Sequence, residues 1–145
     1  MNSALFLGVV TFALIFFAAI GYFIAYVSGW SEAARAYPGS SYFSGTLLSF
    51  RSAACRRWTH YSMCLVFGSN QTGLYMAVLP IFRAGHPPIF VPWSEVTVTR
   101  HSPFGLPTVR FSFARTPGVW FAVWPGLASR LLASAPPSVT SVAAA

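Results

Sequence analysis

The chain has 145 residues, of which 55% are hydrophobic, 17% aromatic and only 8% charged, against roughly 25% charged in ordinary chains. Its ionisable side chains are nine arginines, Glu32, Glu95 and three histidines, with no aspartate or lysine and a formal net charge of +7. Two lone acids far apart in sequence leave no paired-carboxylate hydrolase and no oxygen-rich cage for Mg²⁺ or Ca²⁺. The 14 Phe, 6 Tyr and 5 Trp argue against disorder for most of the chain.

No charged side chain occurs from Met1 to Ser31, and the run from Ala4 to Val27 is almost purely apolar. As a helix this run is about 36 Å long, enough to cross a hydrocarbon core of about 30 Å. Residues 1–28 are therefore expected to form a transmembrane helix. A cleavable signal peptide is the rival reading, but it wants a basic start and a shorter apolar stretch. Along the helix Ala4, Thr11, Ala18 and Ala25 repeat every seven residues, flanked by Gly8 and Gly21. Small residues let helix backbones approach closely in lipid, so this stripe is the expected face for another helix. The run holds no His, Cys or charge, which leaves no haem ligand and no proton path in it. Arg35, Arg51, Arg56 and Arg57 follow the helix and nothing basic precedes it, so the positive-inside bias puts the N-terminus outside and the rest in the cytoplasm.

Tyr22, Tyr26 and Trp30 recur every four residues, as in an interfacial aromatic belt. Ser28-Gly29 breaks the helix, and Trp30, Ala33, Ala34 and Tyr37 then make one apolar face that Pro38-Gly39 ends. Residues 29–41 are expected to be an interfacial helix and linker, its aromatics touching lipid. From Tyr42 the pattern alternates. Strands are predicted at Thr46 to Cys55, His60 to Phe67 (Met63, Leu65 and Phe67 on one side), Gly73 to Ile81, Ile89 to Trp93, Glu95 to His101, Thr108 to Arg115 and Val119 to Trp124. A helix with Leu127, Leu131 and Leu132 on its apolar face closes a domain over 42–135, and 136–145 is expected to be a flexible tail. The fold class is thus α+β: one membrane helix, a mostly antiparallel β domain and a C-terminal helix.

Seven short strands followed by one helix is the element order of the pleckstrin-homology-like (PH-like) barrel. Gly73-Leu-Tyr-Met, followed by Pro87-Pro-Ile-Phe-Val-Pro-Trp-Ser-Glu95-Val, resembles the GRAM and bacterial PH-like pattern of a glycine-led strand and then an Ile-Pro-x-x-acid-Ile strand. With Gly29-Trp30 and Tyr37-Pro38 after a single span, the chain is similar to small bacterial single-pass membrane proteins with a PH-like/GRAM-like β domain. The resemblance implies a fold and an inner-membrane location, and transfers no activity.

Arg51, Arg56, Arg57 and Trp58 form the one basic cluster, suited either to anionic lipid headgroups at about 1 kcal/mol per arginine or to acids on a partner protein. The other arginines are scattered, which argues against nucleic acid. Cys55 and Cys64 stand in no CxxC and by no third soft ligand, so no zinc site is expected. No G-x-S-x-G occurs and no aspartate can orient a histidine. No catalytic residue, metal or cofactor is assigned. The expected function is a non-catalytic accessory or scaffolding subunit, anchored by one helix, in a larger integral-membrane complex, with respiratory and photosynthetic hosts both open. The alternative is a membrane-tethered PH-like adaptor that binds anionic lipid on its own.

Overall fold

The computed structural model describes residues 2–40, 42–56 and 59–139. Helix α1 (Ser3–Ser28) is followed by α2 (Trp30–Ala36), then strands β1 (Thr46–Cys55), β2 (Thr59–Ser69), β3 (Gly73–Val78), β4 (Ile89–Pro92), β5 (Val96–His101), β6 (Thr108–Phe113) and β7 (Thr116–Val123), and finally α3 (Pro125–Leu132). The best window of α1 has a mean hydropathy of 2.5, so the helix is long and apolar enough to cross a membrane. All seven predicted strands are present, and Pro125 sits in the first turn of α3, where its missing N–H costs nothing.

The strands form one open antiparallel sheet in the order β4-β3-β2-β1-β7-β6-β5. Sequence neighbours pair throughout, except that β4 and β5 lie at opposite edges while β1 and β7 meet at Ala54↔Ala122 and Cys55↔Phe121. Beyond β4 the chain of 37–39 runs alongside: Phe90 N–H donates to Tyr37 O at 3.1 Å and Gly39 N–H to Pro88 O at 2.9 Å. That bonding covers an edge that would otherwise stand open. The inward residues Leu65, Phe67, Val98, Phe111 and Phe121 build the core, closed by Leu131 of α3. Val139, within the expected tail, also belongs to this core.

Three expectations need correction. The third strand ends at Val78 rather than Ile81, because Pro80 opens a 3-10 turn over Pro80–Phe82. Met63 does not share a side with Leu65 and Phe67: it is 62% exposed, while they are buried. Its φ is +56° and that of Phe50 on β1 is +55°, at register slips between Leu48, Arg51 and Ala53. The bulge breaks the two-residue alternation on which the expectation relied.

The third correction concerns α2. Trp30 is fully buried, and Ala33, Ala34 and Tyr37 are buried with it. The expected apolar face of α2 packs on the sheet and not on lipid. Trp30 meets Tyr61, His86 and Phe121 edge-on at ring separations of 5.8, 5.4 and 5.7 Å, and its indole N–H donates to Pro87 O at 2.8 Å. Tyr37 packs on Phe113. The turn that aims Trp30 inward depends on Gly29, whose φ is +85° and whose added Cβ would lie 2.7 Å from Val119.

Candidate functional site at the helix–sheet junction

Both acids of the chain hold α2 in place. Glu32 accepts from Arg56 at 2.7 Å, and the Arg56 Nε–H also donates to Gly118 O at 3.3 Å. Glu95 receives a forked pair from Arg115, both bonds 2.8 Å, while the third guanidinium nitrogen donates to Ala36 O at 3.0 Å. Tyr37 completes this clamp: its hydroxyl donates to Glu95 at 3.4 Å and accepts from Arg115 N–H at 2.8 Å. The Arg115 bonds hold the Glu95 carboxyl below the usual carboxylate range.

The C-terminal half of α1 is also fastened to the domain. Phe17 lies 6.1 Å from Phe82, ring to ring, Gly21 faces the Ala84 backbone, and Ala25 and Ser28 are buried. A buried hydrogen-bond chain closes this contact. His86 Nδ1 is 2.9 Å from Ala84 O. A carbonyl can only accept, so Nδ1 carries the hydrogen and Nε2 of the neutral ring accepts from the Tyr61 hydroxyl at 2.8 Å. The Tyr61 oxygen then accepts from Ser28 at 2.9 Å, and Ser28 Oγ accepts from Trp30 N–H at 3.2 Å. Burial pushes the His86 pKa down, opposed by the Ala84 bond, and pushes the Tyr61 hydroxyl up. Both ring nitrogens of His86 are therefore engaged, one on the Ala84 carbonyl and one on the Tyr61 hydroxyl. These bonds tie Ser28 and Trp30 at the helix junction to Tyr61 of β2 and to the Ala84 loop.

Between α1 and the β1–β2 bulge lies a cleft of about 580 Å³, walled by Phe17, Ile20 and Ile24 on one side and by Met63, Val78 and Phe82 on the other, with Tyr61 and His86 also on its lining. Phe50 and Met63 reach its edge with φ near +55°, a conformation that costs about 1 kcal/mol or more for a side chain with a Cβ. Met63 N–H is held by Ser52 Oγ at 2.8 Å. Cys64 lines the cleft, half-buried and free, and Cys55 is buried and free. Burial raises the pKa of both thiols, which leaves them poor nucleophiles. Among the described residues no group of three His, Cys, Asp or Glu could hold a metal ion.

The residues singled out for helix packing divide. Ala4, Gly8 and Thr11 are exposed, with nothing within 4 Å of an added Gly8 Cβ, and Ala18 is partly covered. Gly21 and Ala25 are taken by the chain's own domain. Of the residues expected to touch lipid or a partner, Tyr22 and Tyr26 are exposed, whereas Trp30 and Tyr37 belong to the core. Arg51 is half-buried, its Nε without a hydrogen-bond partner among the described residues, and Arg56 is spent on Glu32. Arg57 and Trp58 lie outside the described residues. The basic cluster is thus not assembled as a free cationic patch among the described residues.

Ser28, Tyr61 and His86 went unrecognised in the sequence, since they come from three separated segments and share no spacing. The apolar groups at Phe50 and Met63 were hidden by the bulge. Comparison with known proteins gives no matching family model, no matching curated protein and no matching solved structure.

Proposed function

We infer that the chain is a non-catalytic accessory subunit of a larger integral-membrane assembly, anchored by α1 and presenting its sheet domain at a fixed attitude to the bilayer. The observation that carries this is the division of α1: its C-terminal half, from Phe17 on, is built into the domain, while the half before it stands uncovered among the described residues. A mere tether has no use for such fastening. The uncovered part includes Ala4, Gly8 and Thr11, the small residues that another helix could approach. Retention of α1, rather than its removal as a signal sequence, is supported by Ala25 and Ser28, which cleavage would strip from the buried junction.

The sheet order, with α3 behind it, supports a PH-like meander opened between β4 and β5. We place the protein in a bacterial inner membrane, single-pass, with its N-terminus outside and the domain cytoplasmic, on the asymmetry of arginines around α1. A free-standing anionic-lipid adaptor has less support, since Arg56 is neutralised by Glu32. The partners are taken to be integral-membrane subunits, with no nucleic acid and no cofactor. Extraction in mild detergent followed by native mass measurement tests this. A stoichiometric complex is expected, and a monomer with no partner would overturn it.

A further inference from the structure

We propose that the cleft between α1 and the β1–β2 bulge is a site for one acyl chain of a bilayer lipid. This rests on α1 crossing the membrane, and four observations lead from there to the lipid. The first is depth. Phe17 on Phe82 and Gly21 on Ala84 tie the domain to the helix within its uncharged run, so Phe82, Met63 and Phe50 stand at the level of Phe17 to Ile24. One wall of the cleft is therefore the surface that α1 offers to lipid. The second is size: about 580 Å³ falls within the roughly 300–1,000 Å³ of pockets that hold small ligands.

The third is polarity. Phe17 and Phe82 meet at one end of the docked segment, and Tyr61 and His86 gather near Ser28 at the other. A lipid entering from the bilayer presents its chain to the aromatic end and its ester end to the polar one. The fourth is strain. Two non-glycine residues at φ near +55° turn Phe50 and Met63 outward, 60% and 62% exposed, beside the opening. Such a conformation persists when something rewards it, and an acyl chain covering both side chains does so. Recognition here is through the chain and not through headgroup charge, so phospholipids of different headgroup are held alike.

The test uses the full-length protein in phosphatidylcholine nanodiscs containing a phosphatidylcholine with a diazirine on its acyl chain. After irradiation, labelled residues are mapped by mass spectrometry. Label is expected on Phe50, Met63 or Phe82 as well as on exposed α1 residues such as Phe12 and Phe16. Filling the cleft with Cys64→Phe is expected to lower the domain label at least fivefold and leave the α1 label unchanged. Ile20→Trp fills it from the helix side and serves if Cys64→Phe does not fold. Label on α1 with none on the domain overturns the site, as does domain label indifferent to both fillings. If α1 itself carries no label, the helix does not span, and the proposal falls with that premise rather than on its own account.

Discussion

Replacing Trp30 by alanine empties the centre of the core. The side chain is fully buried against Tyr61, His86 and Phe121, and its indole N–H holds Pro87 O at 2.8 Å. Truncating a buried Trp costs about 3–5 kcal/mol through lost transfer energy and the residual cavity. A carbonyl left without its donor adds about 1 kcal/mol or more. A loss of about 4–6 kcal/mol is a large part of the roughly 5–15 kcal/mol that holds a domain folded. For a domain of this size it corresponds to a fall in Tm of the order of 15 °C or more. Thermal unfolding of the full-length protein in detergent, followed by near-ultraviolet circular dichroism, measures this. Tyr26→Ala, at a site 74% exposed, is the control and is expected to change stability by less than about 0.5 kcal/mol. Were Trp30 an interfacial anchor, its replacement would behave like that control. A Tm shift for Trp30→Ala no greater than that of Tyr26→Ala would refute its role as the core plug.

Two further outcomes follow from the junction. Burial lowers the folded-state pKa of His86, so the unfolded chain, with a histidine pKa of about 6.5, takes up the proton first. The stability held by neutral His86 is complete above about pH 6.5 and declines as pH falls through that value toward the lowered one. Tm is therefore expected to drop on acidification from about pH 7 to pH 5, with a shallower slope in His86→Phe; equal slopes would contradict the assignment. Gly21→Leu would bring a Cβ to 2.6 Å from the Ala84 backbone oxygen, whereas an added Cβ at Gly8 meets nothing within 4 Å. Gly21→Leu is expected to cost about 1–3 kcal/mol in the same unfolding measurement, while Gly8→Leu leaves it unchanged.

Strand positions were legible because one-sided burial of a sheet writes itself as alternation, clearest in Val109, Phe111 and Phe113. The same rule failed at Met63, where the stretch of β2 from Tyr61 to Leu65 opposes only Ala53 to Arg51 of β1, and Met63, at φ +56°, is turned out of the alternation. The amphipathic face of Trp30, Ala33, Ala34 and Tyr37 announced that α2 is covered, but an apolar face does not say by what. Its actual cover, Phe121 on Trp30 and Phe113 on Tyr37, comes from strands 91 and 76 positions later. Gly21 and Ala25 present the same ambiguity: small residues mark close approach, here to the chain's own Ala84 loop for Gly21. The Ser28–Tyr61–His86 chain had no signature in the sequence, because ordinary polar residues become a buried network only when the fold collects them.

The position of Trp30 bears on how the chain is made. The core of the sheet domain is completed by Trp30, which follows directly on α1, and by Phe121 of the last strand. Contacts of such sequence separation are slow to form, so the domain closes only after β7 has been made. Helix α1 and the sheet domain then mature as a single folding unit, and a fragment cut at Tyr42 would lose the Trp30 plug along with α1.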